Sequence, residues 1–509
     1  MNDDRPVSAS SRMRVALSDE NVWLFIGVFA VSLGLMMFAF SEAGRSAAAG
    51  EVFHSWRVLV LAVGWMPALA AVVWAAWCPA RALAVLLFLS AASSDWFELA
   101  VAGRTGFSKV FYYDVILGVA LLGAALRIAA EWRDQRWPRT RISLPLLVYC
   151  AAGLLFLYRG WGTAEKVNDA LGDFRRVFFY PLVFFLALWE TRRNPRAAAW
   201  MGGAFVCGAL TQVVSGYLSV FMGRFRQLFF ADVFHILSHY STTMLSIVFY
   251  LGLAALLVRR RRRGVYWSLA AAGSVVLLIV IANFRAAWIG LVAGTAVCLA
   301  RSPVGLAQLR RFFLPVLSGL VLIAVVFLAL GKVELAPGAT LKGEVLEKLN
   351  RLRNFQSDPN VQWRFASYRA AMKGWREHPV LGAGLGNQTT FYAPGAFGGQ
   401  YLAFGHRVHN SYLWFLYATG SAGFALFLWV QVTLFLCLWR GARAAQEEMT
   451  KVWVLAFLGF YAHFLAVTAF HHLFESSVPS LTLYALAGLT LGVLAEDRAA
   501  STVAAEWER

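Results

Sequence analysis

The sequence predicts an all-α fold, a polytopic bundle of transmembrane helices with one further helical domain outside the membrane. Three observations predict it. Hydrophobic residues make up 59% of the 509-residue chain and charged residues only 15%, against roughly 25% charged in an ordinary globular domain. The apolar residues come in runs of about 20, the length that crosses a bilayer's hydrocarbon layer. The basic residues, which give a net charge of +18, fall in short clusters between those runs. A soluble chain could not bury so much apolar surface, whereas lipid can stand in for a core. The charge pattern also argues against nucleic acid as a partner, because it forms no basic face with interleaved aromatics.

The runs lie at about 22–40, 58–77, 82–102, 111–127, 143–158, 177–190, 199–221, 241–258, 265–283, 286–300, 312–331, 410–439, 452–470 and 478–495. That is about fourteen spans, and twelve fits the same alternation. With the N-terminus in the cytoplasm, cytoplasmic segments hold about 25 Lys and Arg, short loops on the far side about 11, and the one long loop about 10. Short loops decide orientation, so this is the expected one. The first run, Val22 to Phe40, lacks a following small-residue cleavage site and reads as a retained helix.

The domain organisation expected is a cytoplasmic tail over 1–21, helices 1–11 over 22–331, and a loop domain on the far, periplasmic side over 332–408. Helices 12–14 follow over 409–495, then a cytoplasmic tail over 496–509. In the loop domain, Val361, Phe365, Tyr368, Met372 and Trp375 recur at helical spacing and predict an amphipathic helix. Gly343 to Asn354 predicts a shorter one. From Gly382 to Gly405 the chain is glycine-rich, which predicts a mobile loop over a cleft. Gly382-Ala-Gly384-Leu-Gly386 follows no strand of a βαβ unit, so it is not read as a nucleotide loop.

Ionisable groups at the edges of spans are candidates for function, since hydrocarbon penalises them. Arg285 sits where two apolar runs meet, and two readings stand: a functional cation, or a snorkelling side chain. His409 opens a span and could act as a general base or as a structural hydrogen-bonder. Asn410 is also a natural helix N-cap. His406 and Arg407 lie beside them, as site or as rim. His471, His472 and Glu475 cluster in the last far-side loop, near His235 and His239 in an earlier one. Two histidines and a carboxylate can hold zinc, but adjacent histidines on a helix diverge by about 100°. No Asp-Xaa-Asp motif adjoins a span, although Asp95 and Glu98 are candidates for mutation. No metal or cofactor is expected. The five cysteines all fall in or beside apolar runs, so no disulfide framework is expected.

Three segments together resemble the O-antigen ligase and polymerase superfamily of bacterial polysaccharide assembly. They are Asn283-Phe-Arg285-Ala-Ala-Trp288-Ile-Gly290; Arg364-Phe-Ala-Ser-Tyr368 with Trp375-Arg-Glu-His-Pro379-Val-Leu-Gly382-Ala-Gly384; and His409-Asn410-Ser-Tyr-Leu413 with Thr419-Gly420 and Gly423. Phe284 stands where that family has a small hydroxyl residue, and Tyr368 where a tryptophan is common. The resemblance implies a metal-independent glycosyltransferase of the bacterial inner membrane, acting at its periplasmic face. The implied donor is an undecaprenyl-pyrophosphate-linked glycan, and the acceptor another glycan or lipid A-core; membrane lipids are the remaining partners.

On this reading Arg285 and Arg364 hold the pyrophosphate, as planar always-charged forks. His409 is the base, and displacement inverts the anomeric carbon. Asn410, Arg407, His406 and Arg369 are expected to bind substrate. A transporter or flippase of lipid-linked glycans is the rival from another class. It would favour midplane charges and repeated halves with broken helices, neither of which the sequence displays.

Overall fold

The computed structural model describes residues 79–92, 112–130, 140–163, 167–194, 196–222, 239–258, 263–282, 285–302, 334–336, 339–340, 359–394, 400–406 and 408–507. The elements in order are α1 (Pro79–Ala92), α2 (Tyr112–Ala130), α3 (Ser143–Thr163), α4 (Val167–Phe174), α5 (Val183–Arg193), α6 (Ala197–Met222), α7 (His239–Val258), α8 (Arg263–Ala282) and α9 (Arg285–Arg301). Then come β1 (Glu334–Ala336), β2 (Ala339–Thr340), α10 (Pro359–Glu377), β3 (Thr389–Pro394), β4 (Gln400–His406), α11 (Ser411–Ala444), α12 (Glu448–Thr468) and α13 (Ser477–Trp507). Among the described residues six helices are long and apolar enough to cross a membrane, namely most or all of α3, α6, α7, α11, α12 and α13. The expected runs at 22–40, 58–77 and 312–331, and the helix at 343–354, lie outside the described residues.

The apolar run at 177–190 is not one α-helix. Arg175–Phe179 forms a π-helical turn and Tyr180–Leu182 a 3₁₀ turn before α5 begins. Pro181 explains part of this, since its ring cannot continue an α-helical ladder.

Helix packing fixes which ends lie together. On α9, Gly290 meets His463 and Val467, and Gly294 meets the Gly459 backbone and Tyr250. The Cys298 thiol contacts the Leu455 carbonyl at 3.4 Å. Rising numbers on α9 thus match falling numbers on α12, so the two run antiparallel. Small residues four apart let the backbones close up, as membrane helices commonly do. Arg285 therefore lies at the end of the bundle where α12 finishes. Ser411 reaches the His471 carbonyl at 3.3 Å, which brings the start of α11 to the same end. At the opposite end Arg301 donates from Nε to the Trp439 carbonyl, 2.5 Å, with its guanidinium 4.8 Å from that indole centroid. There too, Asp497 accepts from the backbone N–H groups of Gln446 (2.7 Å) and Glu447 (3.1 Å), closing the turn into α12.

The loop domain is not purely helical. β3 and β4 form an antiparallel hairpin, with Thr389 opposite His406 and Phe391 opposite Ala403, and β1 pairs with β2. Helix α10 packs on β3 and on α11 through a face different from the one its apolar residues predict. The residues it buries are Ala366, Ser367 and Ala371, with Gly374 against the Tyr417 ring, while Phe365 is 51% exposed. Small residues win this face because α11 approaches closely, leaving no room for a phenylalanine.

The first part of the glycine-rich stretch, Gly382 to Gly386, is docked rather than draped over a cleft as a mobile loop; residues 395–399 lie outside the described residues. Helix α11 breaks at Gly420, whose φ of 66° and ψ of −169° belong to a region essentially reserved for glycine. A break orphans backbone groups, and the segment after Pro379 satisfies them. Ala383 and Gly384 donate N–H to the carbonyls of Tyr417 (2.8 Å) and Ala418 (3.0 Å). Ser421 and Ala422 donate to those of Pro379 (2.8 Å) and Val380 (3.1 Å). On its other side the segment sits on α3: Arg159 Nε donates to the Gly382 carbonyl at 2.6 Å, and Gly384 and Leu385 pack on Gly160.

Candidate active site

The site is built where α10, α11 and the turn from α12 to α13 converge. Asn410 is the N-cap of α11, its side chain accepting from the Leu413 N–H at 3.1 Å. His409 therefore stands one residue outside the helix, half-buried. Tyr368 of α10 donates its hydroxyl to the His409 carbonyl at 3.1 Å. Burial holds that phenol above the ordinary tyrosine range, partly offset by the Arg364 charge and a hydrogen bond from the Asn410 side chain. Arg364 lies one turn before Tyr368 on the same helix and is half-buried.

Behind His409 lies the turn between α12 and α13. The His472 ring is 5.0 Å from the His409 ring, centroid to centroid, and the His471 ring 6.1 Å. Glu475 is fully buried and hydrogen-bonded to the Ser411 hydroxyl. The two histidines thus gather at His409, with the glutamate held on Ser411. Among the described residues, however, no three His, Cys, Asp or Glu side chains are arranged to hold a metal ion. Of their expected neighbours, His239 opens α7 and His235 lies outside the described residues; the separate candidates Asp95 and Glu98 also lie outside them.

The sequence candidates fall out as follows. His409, Asn410 and Arg364 come together through α10 and α11. Arg285, half-buried at the first position of α9, stands at the same end of the bundle by the helix register given above. Arg369 is exposed on α10. His406 ends β4, its backbone opposite Thr389. Arg407 lies outside the described residues.

Sequence reasoning missed Trp363, Tyr240 and a lattice of opposite charges at the same end. Arg175 pairs with Asp114 at 3.0 Å, and Tyr180 donates to the same carboxylate at 2.5 Å. Arg176 pairs with Asp173 at 2.7 Å, whose other oxygen accepts the Gly386 N–H at 3.0 Å. Asp173 therefore ties the docked glycine segment to the π-helical turn. A π turn within a helical run often marks a functional position, but nothing in residue spacing announces one. Asp173→Ala would leave the Arg176 guanidinium without this counter-charge. Thermal unfolding in detergent should register a loss of about 3–5 kcal/mol, the usual result of breaking a buried pair.

Comparison with known proteins now bears on this geometry. Residues 276–428 match the family model described as O-antigen ligase. That segment is similar to the O-antigen ligase family. No curated protein matches the chain. The O-antigen ligase match and the six apolar helices together describe a multi-pass membrane protein. The ligase segment runs from α8 through α9 and α10 to just past the break in α11, and so includes Arg285, Arg364, His409 and both sides of the Gly382–Gly420 contact. Tyr240, His471, His472 and Glu475 lie outside it.

Proposed function

We propose that the protein is a membrane glycosyltransferase of the O-antigen ligase/polymerase type. It transfers or polymerises an undecaprenyl-pyrophosphate-linked glycan at the periplasmic face of the bacterial inner membrane. The observation that carries this reading is the arrangement within the ligase segment: the N-terminus of α9, the middle of α10 and the residue before α11 come to one end of the bundle.

In the proposed reaction an acceptor hydroxyl oxygen attacks the anomeric carbon of the donor glycan. The bond from that carbon to the pyrophosphate oxygen breaks, its electron pair leaving with undecaprenyl pyrophosphate. Arg285 and Arg364 stabilise the charge that grows on the leaving group. His409 takes the hydroxyl proton. Direct displacement inverts the anomeric centre. Asn410, His406, Arg407 and Arg369 are proposed to bind the glycans, with Asn410 doing so alongside its cap. A hydroxyl of a glycan or of lipid A-core serves equally as acceptor.

The test is a transfer assay with purified protein, an undecaprenyl-pyrophosphate-linked glycan and a hydroxyl acceptor. A new glycosidic bond is the expected product; movement of the donor without a new bond would favour the flippase reading. In the same assay the rate is expected to survive EDTA. A loss that magnesium or zinc restores would overturn the metal-independent mechanism.

A further inference from the structure

His409 stands between two aromatic rings that each meet it nearly at right angles. Trp363 of α10 lies 5.1 Å away at 83°, and His472 lies 5.0 Å away at 87°. Perpendicular ring contacts at this range are attractive and directional, the positive edge of one ring meeting the electron-rich face of the other.

His472 is itself fixed. Its Nε2 is 2.6 Å from the Tyr240 hydroxyl oxygen. Ser476 Oγ is 2.7 Å from both that oxygen and the His472 carbonyl. The Ser476 hydroxyl donates toward both the Tyr240 oxygen and the His472 carbonyl, and the Tyr240 hydroxyl is shared with His472 Nε2. The ring of bonds closes on the residue where it began. It sets which way the His472 ring faces. Tyr240 comes from α7 and bears on His409 through His472, and both Tyr240 and His472 lie outside the segment matched to the O-antigen ligase family.

We infer that Trp363 and His472 are positioning residues for His409. They clamp its imidazole; the perpendicular contact is assigned with the indole as face and the imidazole as edge, the sense that favours the protonated ring. Protonation makes that edge more positive and strengthens the contact. This rests on the reading of His409 as the base, because the protonated ring is the form a base takes when it accepts the acceptor's proton. Among the described residues, the titratable and charged groups on the elements packed around it are Arg364 and Tyr368 on α10, His471, His472 and Glu475 on the turn, and Tyr240 on α7, with Arg285 of α9 at the same end of the bundle.

Carbethoxylation of His409 by diethyl pyrocarbonate tests the clamp without any substrate. The full-length protein in lipid nanodiscs is treated between pH 5.5 and 8.5 and the His409 peptide is read by mass. Only neutral imidazole reacts, so the pH midpoint follows its titration and the high-pH limit follows its freedom to move. In Trp363→Leu the midpoint is expected to fall by about half a pH unit, the size of an exposed cation–π contact, with Trp363→Phe close to wild type. In Tyr240→Phe the limiting rate is expected to rise about threefold or more, as His472 loses its anchor, roughly what a contact of ~0.7 kcal/mol would hold back. A midpoint unmoved in Trp363→Leu together with an unchanged limit in Tyr240→Phe, in variants that elute as wild type, overturns the clamp and leaves the base reading intact. Glycan transfer that survives His409→Ala overturns both.

Discussion

His409→Ala, Arg364→Ala and Arg285→Ala are each expected to lower glycan transfer by at least 10²-fold while protein level and membrane insertion stay at wild type. General-base catalysis typically supplies about 10²–10⁴ in rate, and one lost charge-stabilising donor about 10²–10³. The three should not behave alike in detail. The Arg364 side chain sits one turn from Tyr368, whose hydroxyl holds the His409 carbonyl, so Arg364→Ala can also disturb the base. Arg285 opens a different helix, so its loss should leave the Tyr368 hydrogen bond to the His409 carbonyl in place. Arg285→Lys should rescue little, because an ammonium lacks the planar fork that matches a phosphate. The measurement is the initial rate of bond formation at saturating donor, with each variant checked by size-exclusion profile. Retained activity in His409→Ala would remove the base from the mechanism, and retained activity in both arginine variants would remove the diphosphate site.

The second large effect is expected at Gly420. An alanine there must adopt a backbone conformation that only glycine tolerates, and its methyl would run into the Val380 carbonyl and the Gly382 nitrogen. The neighbouring backbone cannot yield without giving up the four hydrogen bonds between 379–384 and 417–422. Strain alone costs about 1–3 kcal/mol. The added backbone collision should bring the loss above ~3 kcal/mol. Gly420→Ala is thus expected to reach the membrane poorly folded, with a lowered apparent melting temperature and a broadened elution profile. A variant that melts as wild type would mean that the helix runs straight there. Gly118, with open space around it, is the control position, where alanine should be neutral or mildly stabilising, since it lies in α2.

These two expectations differ in how far the residues alone announce them. Apolar run length located the helices well: the run at 199–221 became Ala197–Met222 and that at 452–470 became Glu448–Thr468. Bilayer thickness and the 3.6-residue repeat act locally, so local sequence carries them. Arg364, His409 and Asn410 could be singled out because charge and imidazole are conspicuous beside apolar runs. The break in α11 could not, because Thr419-Gly420 in an apolar run reads equally well as a tolerated helical glycine. What decides it is the arrival of a second backbone segment, a tertiary event. The same is true of Gly382, Gly384 and Gly386, which suggested mobility until their neighbours on α3 and α11 were known. His472 was noticed for its possible metal chemistry. Its meeting with His409 joins residues on different elements, and spacing along the chain says nothing of that. Trp363 was passed over because an aromatic beside an amphipathic stripe is most often packing.

The contact between α3 and the docked segment sets a schedule for biosynthesis. Arg159 and the Gly382 carbonyl it binds are 223 residues apart. At about 5–20 residues per second, a ribosome takes roughly 10–45 s to make the intervening chain. Through that interval α3 sits in the membrane with its glycine face uncovered and its guanidinium awaiting a partner still inside the ribosome. Nascent chains halted before residue 383 should therefore hold the first half of the bundle in an unfinished state, with protease access near Gly160 that closes once the later segment has been made.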